Sequence, residues 1–189
     1  MADTGWKFGS AINAIRGSGT ILWLLANNVL SDGANTGTNF TSVNTPGSTY
    51  FLGVTGFDFS SIPAGSTIDG VSVRVGDYAR TSLGGAWNAV RLILADDSDG
   101  SENKATEYTG FGVIPTTDEN NSTSDLWSET LAVTDVQDAD FGCQCQVFSA
   151  AIETTSAITI NYIQMRVDYT EAPAGTNTTI IVPTGPARS

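Results

Sequence analysis

The chain has 189 residues, which suits one domain with short extensions, and 40% of them are hydrophobic, enough to fill a core. Its formal net charge of −12, with only eight basic residues, argues against nucleic acid and against an anionic membrane as partners. No apolar run is long enough to span a bilayer, and the start lacks the layout of a signal peptide.

The first 18 residues are small and polar, with a few large apolar side chains among them. We interpret residues 1–18 as an N-terminal arm, with Trp6 and Phe8 as interaction residues and a brief helix at Ser10–Arg16. The apolar cluster that follows, Ile21–Leu25, predicts a strand that is apolar on both faces. Such a strand must lie inside the sheet stack or be covered by a neighbour.

The middle of the chain predicts four short strands separated by turns. Alternation of apolar and polar residues indicates strands at Ile68–Tyr78 and Ala86–Ala95. A strand with a glycine bulge is predicted at Tyr50–Phe59. A further strand is expected at Thr106–Pro115, before a polar loop.

The acidic turn after the Ala86–Ala95 strand resembles a calcium loop in its spacing of carboxylates. Asp97, Asp99 and Glu102 are the candidate ligands. Because the closing glutamate of the full twelve-residue pattern is absent, we favour a solvated hairpin tip over a calcium site. No other metal and no cofactor is expected.

The second half of the chain has the clearest pattern. Two alternating strands are predicted at Phe141–Phe148 and Ile158–Tyr169. Before them, Thr134 is the predicted N-cap of a single helical turn, with Gln137 as its capping-box partner.

The two cysteines, Cys143 and Cys145, lie two positions apart on a predicted strand and therefore share one face. Their Cα atoms would be about 6.5–7 Å apart, at the limit for a disulfide. The chain contains no histidine to complete a metal site. We therefore expect both cysteines to be small buried core residues.

The C-terminal segment, residues 171–189, carries three of the six prolines. It is interpreted as a linker or arm with one short strand at Thr178–Val182. Within it, Ile180 and Ile181 are the expected interaction residues.

Short strands with regular turn signals predict an all-β fold, an antiparallel β-sandwich with extended N- and C-terminal arms. The sandwich domain is expected over residues 19–170. We prefer a jelly-roll-like topology, while an immunoglobulin-like sandwich stays open.

Catalysis is not expected. Without histidine, the Ser–His–Asp and Cys–His arrangements are excluded, and phosphate-binding glycine loops are absent from the sequence. A glycosidase needs only two carboxylates across a groove, but nearly all acidic residues fall in predicted turns.

Tryptophans could instead form a platform for a carbohydrate if two or more were exposed on one face. Trp23 and Trp127 are expected in the core or under loops. Trp87, next to Gly84 and Gly85, is the best candidate for a surface contact. A carbohydrate-binding module for adsorption to a host glycan is therefore the alternative function.

Several segments resemble a recurrent family of structural proteins from the virions of tailed bacteriophages, over roughly two thirds of the chain. The matching segments are the turn Asn28–Gly33, FDFSSIPAGSTIDGVSVRV at Phe57–Val75, the strand Val90–Leu94, LWSETLAVTDVQDADF at Leu126–Phe141, and NYIQMRVDY at Asn161–Tyr169.

This resemblance implies a non-enzymatic β-sandwich carried on the phage particle as a capsid decoration, head-fibre or tail component. The expected partner is the major capsid or tail protein of the same virion, assembled in the cytoplasm of the bacterial host. We also expect a homo-oligomer with closed symmetry, such as a trimer.

Overall fold

The computed structural model describes residues 1–33, 38–42, 47–80, 85–110, 116–120, 122–149 and 156–173. They form an all-β sandwich of two antiparallel sheets, which confirms the predicted fold class. The strands are β1 Ala2–Asp3, β2 Lys7–Phe8, β3 Ala11–Arg16, β4 Thr38–Ser42, β5 Gly47–Ser48, β6 Phe51–Thr55, β7 Thr67–Arg80, β8 Gly85–Ile93, β9 Thr116–Glu119, β10 Gly142–Ser149, β11 Ser156–Ile160 and β12 Tyr162–Thr170. The helical turns are Ala26–Leu30, Ala105–Glu107 and α1, Val133–Val136.

The larger sheet has the order β1–β12–β7–β11–β4, with β2 also paired to β12 and β9 also paired to β7. The smaller sheet has the order β3–β6–β10–β5, with β8 also paired to β10. From β6 to β11, each strand lies in the opposite sheet from the strand before it. The chain therefore crosses repeatedly between the two sheets.

The core lies between the two sheets and is built by period-two alternation. On β7, Val71, Val73 and Val75 are buried. They lie beside Val167, Met165 and Ile163 of β12, which are also buried. Each such side chain contributes about 1.5–3 kcal/mol when it leaves water, so this pair of strands is central to stability.

The N-terminal segment is extended, but it forms strands of the sandwich rather than a separate arm. β1 and β2 run along β12, and β3 runs along β6 in the other sheet. The helix predicted at Ser10–Arg16 is therefore wrong. The backbone of β6 supplies hydrogen-bond partners to this segment, and Ile12 packs against the core.

One further strand prediction is wrong, and another is wrong in the part of it that the structure describes. Ile21–Leu25 is a loop with isolated bridge positions at Ile21, which pairs with Thr49, and at Leu24. At the predicted strand Thr106–Pro115, residues 105–107 form a helical turn, residues 108–110 are not part of a strand, and 111–115 lie outside the described residues. The strand β9 follows instead, in the predicted polar loop, where it pairs with β7.

The prediction for the capped turn is correct in position and wrong in its capping residues. Helix α1 begins after Ala132, whose N–H donates to Asp135 over 2.8 Å. Thr134 is therefore inside the helix. Gln137 donates instead to the carbonyl groups of Phe59 and Ile62, at 3.1 and 3.0 Å. It joins α1 to the turn before β7.

After β12, residues 171–173 are exposed. The predicted strand Thr178–Val182, with Ile180 and Ile181, lies outside the described residues. In the part of the chain that the structure describes, no helix is both long and apolar enough to cross a membrane.

Candidate interaction surfaces

The acidic turn after β8 is held by cations of the protein itself. Arg16 on β3 pairs with Asp97 and Asp99, and its Nη2 lies 3.0 Å from Asp99 Oδ1. Glu102 lies apart from them, with Oε1 at 2.8 Å from Lys104 Nζ. The described residues contain no group of three His, Cys, Asp or Glu side chains that could hold a metal. The calcium hypothesis for Asp97, Asp99 and Glu102 has no support, because Arg16 supplies the positive charge at this turn.

Lys104 is a buried cation that the sequence did not single out. Its side chain is 5% exposed, and Nζ lies 2.8 Å from both Glu102 and Asp125 and 3.1 Å from Glu107. It also lies 5.4 Å from the centre of the Trp127 ring. Burial opposes the charge, but the hydrogen bonds to the three carboxylates outweigh it and raise the pKa of Lys104. The arrangement joins the segment after β8 to the segment before α1.

Three carboxylates line a surface depression of about 280 Å³ beside the end of β8. To act as a glycosidase site, such a depression would need one carboxyl group that can donate a proton as a general acid. Each accepts a hydrogen bond from a nearby backbone N–H. The pairs are Asp96 with Ser98 at 3.0 Å, Glu129 with Ser101 at 2.8 Å, and Asp135 with Ala132 at 2.8 Å. The hydrogen bonds from Ser98 lower the pKa of Asp96, which therefore stays ionised at neutral pH and is unsuited to donate a proton.

Trp87 is not a surface residue, which corrects the prediction. It is 8% exposed, and its ring centre lies 5.1 Å from that of Tyr78 and 5.8 Å from that of Tyr108. Trp23 and Trp127 are buried as expected, at 6% and 1% exposed. A carbohydrate platform based on Trp87 is therefore excluded by burial.

The segment Ile21–Leu25, hereafter the leucine loop, exposes apolar side chains. Leu22, Leu24 and Leu25 are 53%, 54% and 66% exposed. Between them, Trp23 points inward, and its Nε1 donates to the carbonyl of Tyr50 over 2.6 Å. Leu25 has a φ of 55°, a left-handed conformation that leucine rarely adopts. The loop is thus fixed at its centre and presents three leucines to solvent.

A polar groove of about 500 Å³ borders the leucine loop. Its lining includes Thr20, the residue before the loop, and Phe148 of β10. Its floor is fixed by Gln146, whose Nε2 donates to the carbonyl groups of Ser18 and Thr49 at 2.7 and 2.8 Å. The exposed loop and the neighbouring groove together form an uneven surface with an apolar projection and a polar depression.

The outer side of the larger sheet carries a second surface, hereafter the aromatic face: Trp6, Phe8 and Tyr162 with Arg74 and Arg166. The Cζ atoms of Arg74 and Arg166 lie over the Trp6 ring, 3.9 and 5.1 Å from its centre. Phe8 meets Tyr162 edge to face with ring centres 6.2 Å apart. All five side chains are partly exposed. The structure thus places two of the predicted interaction residues, Trp6 and Phe8, on the same surface. Tyr162, Arg74 and Arg166 also belong to this surface, although the sequence did not indicate them.

No protein-family model, no curated protein and no solved structure matches the chain.

Proposed function

We propose that this chain is a non-enzymatic structural protein of a tailed-bacteriophage virion. It docks on the capsid or tail lattice as a decoration or fibre-type subunit and stabilises or extends that lattice. The sequence resemblance motivates the class of protein. The exposed leucine loop is the observation in the structure that supports docking.

The loop is suited to binding because it is already ordered. Trp23 is buried and bonded to Tyr50, and the N–H of Tyr50 in turn donates to the carbonyl of Ile21 over 2.9 Å. A loop that is fixed before binding loses little conformational entropy when a partner covers it. The left-handed backbone of Leu25 keeps an apolar side chain outward at a cost of about 1–2 kcal/mol. A docking partner that buries the Leu25 side chain would offset this cost.

The energy available from the loop suits assembly on a repeating lattice. Complete burial of one leucine contributes about 1.5–3 kcal/mol. Because roughly half of each of the three residues is still exposed, covering them contributes on the order of 2–5 kcal/mol per subunit. With a net charge of −12, subunits repel one another, so the contact between them has to come from apolar or backbone groups. When several linked subunits bind the same particle, their individually weak contacts give a higher overall affinity.

The partners follow from this proposal. The leucine loop would bind the major capsid or tail protein of the same virion, and a homo-oligomer such as a trimer would place several loops on one particle. The protein would be located in the virion after assembly in the bacterial cytoplasm. The absence of catalysis belongs to the same proposal, supported by the hydrogen bonds that Asp96, Glu129 and Asp135 each already accept from a backbone N–H of the protein.

The test replaces the apolar surface of the loop without touching its anchor. A variant with Leu22→Ser, Leu24→Ser and Leu25→Ser is compared with a control in which the same three residues become Met. We expect the Ser variant to lower occupancy on purified particles at least about tenfold, the effect of losing roughly 1.4 kcal/mol. The Met control keeps the apolar area and should stay within about twofold of wild type.

Occupancy is measured by quantitative mass spectrometry of particles from cells infected with a phage that carries each variant. Circular dichroism establishes that both variants are folded. Equal occupancy of a folded Ser variant and the Met control would show that the leucine loop is not the docking surface.

A further inference from the structure

We infer that the aromatic face is a binding site for an uncharged saccharide. This inference is independent of docking through the leucine loop, because it uses none of the residues of that loop. It also uses different residues from the tryptophan platform that the burial of Trp87 excludes. The site is built from edge strand β2, the two central strands β12 and β7, and β9.

The register of the sheet places its polar groups in one row. Phe8 is opposite Gln164, Gln164 is opposite Arg74, and Arg74 is opposite Glu119. Residues directly opposite each other in a sheet point to the same side. Since the neighbouring Met165 is buried in the core, this row lies on the outer side of the sheet.

Trp6 reaches across this row. It precedes Lys7, which pairs with Met165 of β12, and Arg74 is on β7, one strand further. A guanidinium 3.9 Å from the ring centre therefore shows that the side chains of Trp6 and Arg74 meet on the outer side of the sheet. Arg166 of β12 contributes the second cation at 5.1 Å. Both contacts hold the ring by cation–π attraction, so the indole is positioned before any ligand arrives.

Tyr162 is positioned by a glycine. Gly76 lies opposite Tyr162, and a Cβ atom at Gly76 would be 1.8 Å from Cζ of the tyrosine ring. The ring therefore lies directly on the glycine backbone. Its hydroxyl is 3.5 Å from Thr117 Oγ1, and the edge contact with Phe8 holds it from the side. Two aromatic side chains, Trp6 and Tyr162, are thus fixed on the outer surface of one sheet.

This combination of groups matches a sugar. A pyranose ring offers C–H groups that pack on aromatic rings and hydroxyl groups that exchange hydrogen bonds with planar polar groups. The aromatic face supplies rings through Trp6 and Tyr162. Gln164, Arg74 and Glu119 supply the amide, guanidinium and carboxylate groups between them.

The charges favour an uncharged sugar over an acidic one. Arg74 Nη2 lies 2.6 Å from Glu119, and Arg166 Nε lies 3.3 Å from Asp168. Each guanidinium therefore has a carboxylate partner within the protein, and the net charge of the whole chain, −12, repels a polyanion. Phosphate- or uronate-rich polymers are poor ligands for such a surface.

The experiment uses the full chain and an array of neutral hexose and N-acetylhexosamine oligosaccharides, with polygalacturonate as the acidic probe. Titration calorimetry then measures the affinity of the best neutral oligosaccharide. We expect Trp6→Ala to weaken that affinity at least about tenfold and Gln164→Ala about threefold or more. Phe148→Ala, which removes a partly exposed ring from the other sheet, is the control and should change affinity less than about twofold.

The outcomes separate this inference from the proposed function. The variant with three serines in the leucine loop should bind the oligosaccharide as the wild type does, even though it docks poorly on particles. If Trp6→Ala fails to fold, Gln164→Ala decides, since it alters one side chain on the outer surface. Binding to no neutral saccharide, to polygalacturonate alone, or equally by wild type and Gln164→Ala would overturn the inference.

Discussion

At the scale of single residues, Lys104 shows how a charge can be kept inside a β-sandwich. Its ammonium group is almost fully buried, and three carboxylates surround it. An ammonium group has three N–H donors, so each donor has one acidic partner. The cost of removing the charge from water is offset only while these partners are present.

We predict that Lys104→Met is strongly destabilising. The change leaves Glu102, Glu107 and Asp125 close together without their cation, and loss of one member of a buried ion pair costs about 3–5 kcal/mol. Urea unfolding followed by fluorescence measures the free energy of unfolding. Lys7→Met, at the other lysine of the chain, is the matched control, with an expected loss below about 1 kcal/mol. Similar losses for the two variants would contradict the role given to Lys104.

Residues whose environment follows from strand alternation were predictable. Cys143 and Cys145 are free and buried, and burial raises the pKa of Cys145 to about 12. Both thiols therefore remain protonated and act as small apolar residues. Trp87 was misjudged because adjacent glycines suggest a loop, whereas it lies within β8 opposite the buried Val147. Lys104 could not be found, because one of its partners is 21 positions away and is brought near only by the fold.

At the scale of elements, the long central strands were predictable and the short edge strands were not. β7 and β12 carry their own pattern of alternating valines and other apolar residues, which indicates both type and orientation. β1, β2 and β9 have two to four residues each, too few for a pattern. Their extended conformation depends on the backbone groups that the neighbouring strands offer. The same dependence explains why residues 1–18 are interpreted as an arm from the sequence.

Deleting residues 1–9 should therefore destabilise the domain, whereas the loss of a dispensable arm would leave its stability unchanged. The deletion removes β1 and β2 and the reciprocal bonds of Thr4 with Val167, in which each backbone N–H donates over 3.0 Å. It also leaves the edge of β12 unpaired, which favours association with other chains. We expect the thermal midpoint to fall by at least about 5 °C, since 1 kcal/mol corresponds to about 2–4 °C at this size.

Differential scanning fluorimetry and size-exclusion chromatography measure the midpoint and the association. Trp6→Ala is the comparison, because it removes the ring and keeps both strands. An unchanged midpoint for the deletion would show that residues 1–9 are an arm after all, without a part in the stability of the sandwich.

At the scale of the whole molecule, the excess of acidic over basic residues governs how stability depends on pH. At neutral pH, the net charge of −12 makes the compact state repel itself. Several carboxylates nevertheless gain from being ionised in the folded state. Burial acts to raise the pKa of Asp118, but hydrogen bonds from Thr109 and Tyr78 outweigh it and lower the pKa. In the same way, bonds from Lys104 and Trp127 lower the pKa of Asp125 against the effect of burial.

These shifts predict a loss of stability in acid. A carboxyl group with a lowered pKa in the folded state stabilises the fold at pH values above its unfolded pKa of 3.8. That contribution disappears as the pH falls through the lower, folded pKa, because the unfolded chain takes up the proton first. We therefore expect the urea midpoint to fall between about pH 4.5 and pH 2, and Asp118→Asn to make that fall shallower.

Tyr78→Phe gives a second readout for the same bond, since it removes the hydroxyl that donates to Asp118 over 2.7 Å and leaves the ring in place. Its acid dependence should lie between those of the wild type and Asp118→Asn, because the donor from Thr109 remains. The explanation fails if Asp118→Asn loses as much stability between pH 4.5 and pH 2 as the wild type. In that case, general charge repulsion, and not the local hydrogen bonds of Asp118, would control the response to acid.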